Sequence, residues 1–238
     1  MSEYTGTDNL EVMQEAVNYN RFLCELIARH AGSASRVLDF GAGIGTFSAR
    51  VKEQGFDVTC LEVDAGQAEL LQTQGFEVLT SLDDCEDGTF DYVYSLNVLE
   101  HIEDDAAAVR QLYRVLRPGA TALIYVPALE ILFSSMDEKV GHFRRYSRPS
   151  LSRLLLDAGF ELRTCRYCDS LGFPATLLYK WFGSDKGGIS KLPVVLYDRV
   201  AFPVSRLLDA LFGALLGKNV YAVVAKPDAG ATGAAGSE

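Results

Sequence analysis

"RVLDFGAGIGTFSARVKEQGFDVTCLEVD", residues 36–64, is the stretch on which the reading of the whole chain turns. It opens with a short apolar run, Arg36–Phe40. Three glycines at alternate positions follow, Gly41, Gly43 and Gly45. Thr46–Gln54 then carries a helical pattern closed by Gly55, and Asp57–Glu62 is a second apolar run that ends in a carboxylate. Strand, tight loop, helix and strand make the crossover unit of a parallel sheet. Such sheets bind ligands beyond the carboxyl ends of their strands. Glycines there let the backbone turn sharply and approach a ligand. The helix start offers unpaired N–H groups to anything negative. Glu62, at the tip of the second strand, can accept two hydrogen bonds from a ribose diol. The unit therefore predicts a ligand with an adenosine-like half.

The same alternation continues outward. Apolar residues at helical spacing from Leu10 to Ala31 predict a leading helix. Gly66–Gln74 is a helix stopped by Gly75, and Phe76–Leu79 a third strand. Phe90–Leu96 is a fourth strand, Asp104–Leu116 a helix ended by Pro118-Gly119, and Thr121–Val126 a fifth strand. Pro149–Ala158 is a helix, Phe160–Cys168 a sixth strand and Asn219–Lys226 a seventh. The expected fold class is α/β: a doubly wound, mostly parallel sheet with helices on both faces. The domain division expected is 1–170 plus 218–227 as one cofactor-binding domain, 171–217 as an apolar helical insertion, and 228–238 as a disordered tail of small polar residues.

The insertion, Leu171–Gly217, breaks the alternation. Between residues 180 and 218 lie six basic and three acidic residues, whereas the whole chain carries a formal charge of −10. Asp198, Ser205, Arg206 and Asp209 fall near one helical face; Val200, Val204, Leu207, Leu208 and Leu211 fall on the other. No uncharged run reaches the roughly 18 residues needed to span a bilayer. Two readings stay open: a lid packed on its own domain, or an apolar collar that admits a greasy substrate or rests on a membrane.

Composition narrows the classes. The acidic balance argues against nucleic acid as a partner. The N-terminus has no basic region followed by an apolar run, so no signal peptide is expected. Five scattered cysteines suggest no disulfide framework and a cytoplasmic location. Cys165 and Cys168 form a C-x-x-C inside a strand, where residues three apart face opposite ways. Metal or redox use is not expected of them.

The glycine row reads Gly41-Ala42-Gly43-Ile44-Gly45-Thr46. A dinucleotide loop wants G-x-G-x-x-G, and a P-loop wants Gly-Lys-Ser/Thr; neither is present. With "VLDFGAGIGTFS", "VTCLEVD", "GTFDYVYSLNVLEHIEDD" and "LYRVLRPGATALIYVP" in that order, the chain resembles the class I S-adenosylmethionine-dependent methyltransferases. The resemblance covers about Tyr19 to Gly159, with Asn219–Lys226 as the family's last strand. It implies seven strands with the last antiparallel, and S-adenosylmethionine as cofactor. By resemblance, Asp39, Gly41, Gly43 and Gly45 shape the pocket for the methionine half. Glu62 takes the ribose hydroxyls, Ser81 and Leu82 flank the adenine, and Asn97 sits beneath the sulfonium. "VNYNRFLCELI" is similar to a segment in a subset of these enzymes and suggests that Tyr19 closes over the methionine end. That subset also has a "GHFRRYS"-like loop and is found among enzymes of glycan, lipid and natural-product assembly.

Alkyl transfer to a hydroxyl needs a base. His142, in the loop after the fifth strand on the acceptor side of such a fold, is the candidate. Arg145 and Tyr146 stand with it as candidate catalytic residues, and Arg144 with Arg145 could pair with an anionic acceptor group. The alternative stays open that His142 pairs with Asp137 or Glu138 and that the two arginines hold those same acidic neighbours. Some members of the superfamily hold a divalent ion through Glu-x-x-Glu-His and a further histidine. Here Asn97 occupies the first position; Glu100, His101 and His142 alone make a thin site, and no metal is expected. The expected activity is methyl transfer to a small-molecule or lipid-linked acceptor, on oxygen, with contact to a membrane surface through 171–217. The competing readings are an NAD-dependent oxidoreductase and a non-catalytic cofactor-binding module that scaffolds a membrane partner.

Overall fold

A computed structural model of the chain describes residues 12–83, 85–182, 191–212 and 215–228. Seven strands form one sheet: β1 Arg36–Phe40, β2 Asp57–Leu61, β3 Glu77–Leu79, β4 Phe90–Leu96, β5 Leu116–Pro127, β6 Glu161–Cys168 and β7 Asn219–Ala225. Their order is β3-β2-β1-β4-β5-β7-β6. The pairs among β1 to β5 are parallel, and β7 runs antiparallel to both β5 and β6. Strand order reverses at β1/β4, where the glycine loop leaves the sheet, so the ligand crevice falls at the topological switch point.

Helices α1 Val17–Ala31, α2 Thr46–Lys52 and α3 Ala65–Thr73 lie on one face. Helices α4 Asp105–Val115 and α6 Arg148–Asp157 lie on the other, with α5 Ser135–Lys139 in the connection between β5 and α6. Each face buries its own core. Leu23, Ile27, Leu71, Tyr92 and Tyr94 pack on the first, and Val93, Leu99, Leu112, Ile124 and Leu151 on the second. Tyr92, Val93 and Tyr94 alternate between the two, as strand geometry demands. Cys165 and Cys168 likewise belong to opposite cores, and all five cysteines are free thiols.

Local chemistry sets the element ends. Asp64 caps α3 by accepting from the Gly66 and Gln67 N–H groups, and Asp104 caps α4 by accepting from Ala107 N. The C-terminus of α4 is closed from the far end of the chain: Lys226 Nζ donates to the carbonyls of Tyr113 and Leu116 at 2.9 and 2.7 Å. A cation there meets the negative end of the helix dipole.

The helical pattern read from Leu10 breaks at Glu15–Ala16, and residues before 12 lie outside the described part. The tail read as disordered also lies outside it, apart from Asp228. The insertion contains α7 Gly172–Phe182, α8 Lys191–Leu196 and α9 Phe202–Phe212, with a π-helical turn, Tyr197–Ala201, joining the last two. No helix among the described residues is long and apolar enough to cross a membrane.

Candidate cofactor and acceptor site

The glycine loop is built by its backbone. Gly41 N and Ala42 N both donate to Leu61 O, at 2.9 and 3.0 Å, which fastens the loop to β2. Gly41, Gly43 and Gly45 have φ of 81°, 58° and 82°, a region closed to most side chains. A Cβ at Gly41 would lie 2.4 Å from a Val98 methyl, so this position is also sterically shut.

Two carboxylates organise the loop. Glu62, 8% exposed, accepts from Gly43 N at 2.8 Å through one oxygen and from Asp64 N at 2.9 Å through the other. Each oxygen keeps a further acceptor site, so the group can hold the loop and a diol together. Asp39 accepts from Ser48 Oγ at 2.6 Å and from Tyr94 OH at 2.7 Å, tying α2 to β1 and β4. Burial pushes the Asp39 carboxyl up to about 6, against those two hydrogen bonds and with Glu62 adding to the rise.

Asn97 follows β4 in a left-handed conformation, φ 55°, with its N–H on Tyr125 O at 2.7 Å. The Tyr19 ring packs edge-on against Tyr125 and Phe202, with centroids 6.3 and 5.6 Å away. Its hydroxyl faces Tyr125 and the Asn97 side chain. Ser81 Oγ accepts from Asp83 N, while the Leu82 side chain is buried in the second core.

The acceptor loop is a second constellation. His142 Nδ1 lies 2.7 Å from Asp137 Oδ1; the ionised carboxylate can only accept, so Nδ1 carries a proton, and in the neutral ring Nε2 is then the lone pair. Arg145 clamps the same carboxylate, with Nε and Nη2 at 2.8 and 3.1 Å. Asp137 also closes the capping box of α5 with Ser134. Burial opposes its charge, but the hydrogen bonds from His142 and Arg145 outweigh that and bring it down to about 2.

Arg145 and Tyr146, read from the sequence as catalytic candidates, are both engaged in holding this loop. Tyr146 is buried and donates to Asp105 Oδ2 at 2.7 Å and to Leu99 O at 3.2 Å. Arg144 pairs with Asp105 and donates to Glu103 O.

Beneath His142 lies Glu100, fully buried, 3.9 Å from Nε2, with neither carboxylate oxygen hydrogen-bonded among the described residues. Burial pushes its carboxyl up to about 8. His101 packs edge-on to His142 at 4.6 Å, and burial, with the neighbouring ring second, brings it down to about 4. Glu100, His101 and His142 each bring one ligand atom within 4.8 Å of the others and are the set that could share a cation among the described residues.

Sequence reading left Asp137 and Glu138 both open as partners of His142 and Arg145, and the fold selects Asp137 for both. The Ser134-x-x-Asp137 spacing of a capping box was the available signal. Glu100 was legible as one of a thin set with His101 and His142, the same three residues that the fold brings together.

The comparisons agree with this geometry. Residues 13–164 match the model of a family described as a methyltransferase domain. The ubiquinone biosynthesis O-methyltransferase of Pseudomonas paraeruginosa is 29% identical over 163 residues, 58% of this chain and 69% of that one. Among solved structures, a putative sarcosine dimethylglycine methyltransferase from Galdieria sulphuraria aligns with a TM-score of 0.60 at 17% identity, covering 89% of this chain and 86% of that one. Geranyl diphosphate C-methyltransferase from Streptomyces coelicolor aligns with a TM-score of 0.61 at 14% identity, over 87% and 77%. This decides between the readings that the glycine loop left open: the chain belongs to the methyltransferase-domain family and is an S-adenosylmethionine-dependent methyltransferase.

Proposed function

We propose that this enzyme methylates a hydroxyl oxygen of an apolar, lipid-linked small molecule presented at a membrane surface. The observation that carries the lipid part is the orientation of α9 together with the π-helical turn that leads into it. Its polar side chains face inward: Asp198, Ser205 and Asp209 are 2%, 0% and 7% exposed. Its apolar stripe faces outward: Val200, Val204, Leu207 and Leu211 are 47–75% exposed, at i, i+4, i+7 and i+11. A helix that buries its polar face and bares its apolar one is suited to lie on lipid. Lys180, on α7, donates to Ile131 O at 2.8 Å and so ties the insertion to the connection that carries His142.

In the cofactor crevice, Glu62 takes the ribose diol, and Ser81 and Leu82 line the adenine side. Asp39 and the glycine loop shape the methionine end, and Tyr19 and Asn97 close it. When bound, S-adenosylmethionine supplies an electrophilic methyl for in-line displacement. The chain's own work is to align the acceptor and take its proton. His142 Nε2 accepts the hydroxyl proton as the oxygen–methyl bond forms. The resulting imidazolium is stabilised by Asp137, held ionised by Arg145. The ubiquinone-pathway relative is by its name an O-methyltransferase, which supports oxygen as the acceptor atom.

The test is release of S-adenosylhomocysteine from aryl and sugar alcohols, each offered with and without a polyprenyl tail in anionic vesicles. Tailed acceptors are expected to be preferred, and Leu207→Glu with Leu211→Glu to abolish both that preference and vesicle co-sedimentation. Equal use of tailed and untailed acceptors, with no effect of the substitutions, overturns the reading.

A further inference from the structure

Helix α1 has no cap of its own. Ala16 precedes it, and its first turn holds no acidic residue. Yet the N–H groups of Asn18 and Tyr19 are satisfied. Both donate to Asp198, at 2.9 and 2.8 Å, one to each carboxylate oxygen. Asn18 Nδ2 returns a third bond, to Asp198 O at 3.0 Å. The capping group thus arrives from 180 positions along the chain, out of the π-helical turn between α8 and α9. A carboxylate there meets the positive end of the α1 dipole.

The residue it holds by the backbone is Tyr19, whose ring lies between Phe202 of α9 and Tyr125 of the sheet. The turn itself is anchored. Tyr197 OH and Ser205 Oγ both donate to Asp169 Oδ1, and Asp209 accepts from Asp169 N and Ser170 N. One rigid path therefore runs from the insertion through Asp198 to Tyr19.

We propose that Asp198 is a positioning residue for the cofactor crevice: by capping α1 it seats Tyr19, and so makes cofactor affinity depend on the docking of the 171–217 insertion. This rests on the role given above to Tyr19. Without the cap, the first turn of α1 frays, and the apparent affinity falls by the fraction of molecules with Tyr19 in place. Coupling of this kind is reciprocal: cofactor binding must in turn steady the insertion.

The experiment uses the full-length protein and S-adenosylhomocysteine. Asp198→Asn keeps the shape but sets an amide N–H₂ against one of the two backbone N–H groups. It is expected to weaken S-adenosylhomocysteine roughly three- to tenfold by calorimetry. The KM for S-adenosylmethionine should rise by the same factor, with kcat little changed. Combined with Tyr19→Phe, the losses should be less than additive. In the wild-type protein, S-adenosylhomocysteine should slow amide exchange in residues 197–206 as well as at Tyr19, a readout that needs no variant to fold. If Tyr19→Phe weakens binding while Asp198→Asn lowers only the melting temperature, Asp198 is merely structural and the inference fails alone. If Tyr19→Phe binds as the wild type does, the role of Tyr19 fails and takes the inference with it. Unchanged exchange at 197–206 overturns the coupling.

Discussion

Glu100 offers a prediction that needs neither acceptor nor cofactor. Its carboxyl is buried beneath His142 with both oxygens unpaired among the described residues, and burial moves it from 4.5 to about 8. The folded chain then binds more protons than the unfolded one between those two values. The contribution of Glu100 to stability is therefore fully present below pH 4.5 and is lost as pH rises toward about 8. Glutamine has nearly the same shape and no charge at any pH. Replacing Glu100 by Gln should change stability by less than about 1 kcal/mol at pH 5. The gain should then grow by about 1.4 kcal/mol per pH unit, to on the order of 4 kcal/mol at pH 8. Urea unfolding of both proteins across that range measures it, with a chelator present so that no cation bridges Glu100, His101 and His142. Titrating groups away from Glu100 cancel in the difference, while those beside it, His142 and Asp137, respond to its charge. A difference that stays flat with pH, or a Gln variant less stable at pH 8, would refute the reasoning.

Three further outcomes are expected. Glu62→Gln turns an amide N–H₂ toward either Gly43 N or Asp64 N, and should weaken S-adenosylhomocysteine by about 1–3 kcal/mol in calorimetry; undiminished affinity counts against the ribose assignment. Gly41→Ala puts a Cβ 2.4 Å from a Val98 methyl at φ 81° and should cost about 1–3 kcal/mol in urea unfolding, so wild-type stability would contradict the loop geometry. His142→Ala should lower kcat roughly 10²- to 10⁴-fold and leave S-adenosylhomocysteine affinity intact, and a loss of affinity with kcat preserved would reject it as the base.

The cofactor half of this molecule was legible because its signals are local. Gly41, Gly43 and Gly45 declare backbone freedom, the apolar runs on either side declare buried parallel strands, and Glu62 closes a unit only 27 residues long from Arg36. The acceptor half was legible only in part. His142 and Arg145 could be read beside Asp137 and Glu138, but nothing in "GHFRRYS" chooses Asp137 for both or says that Tyr146 is spent on Asp105. Those partners lie on α5 and α4, which only the tertiary fold brings beside the loop. The Asp198–Tyr19 link was invisible for a plainer reason: no periodicity joins residues 179 positions apart.

The insertion shows how a correct pattern can leave its direction undetermined. Periodicity split α9 into a polar and an apolar face, and both readings of the segment were compatible with that split. Ordinary burial would turn Val200, Val204, Leu207 and Leu211 inward, for about 1.5–3 kcal/mol each. Instead, the polar face is drawn in because β6 ends with main-chain donors that need acceptors. Asp209 takes the N–H groups of Asp169 and Ser170, Ser205 Oγ accepts from Leu171 N, and Asp198 takes those of Asn18 and Tyr19. Leaving such groups buried and unpaired would cost about 1–3 kcal/mol apiece, a penalty similar in size to the apolar burial forgone. The inverted helix is thus sustained from within by hydrogen bonding, and its outer stripe is freed for a surface as apolar as itself. Under the proposed function, a collar that is also hydrogen-bonded to the helix carrying Tyr19 would place acceptor delivery and cofactor closure on one structural element.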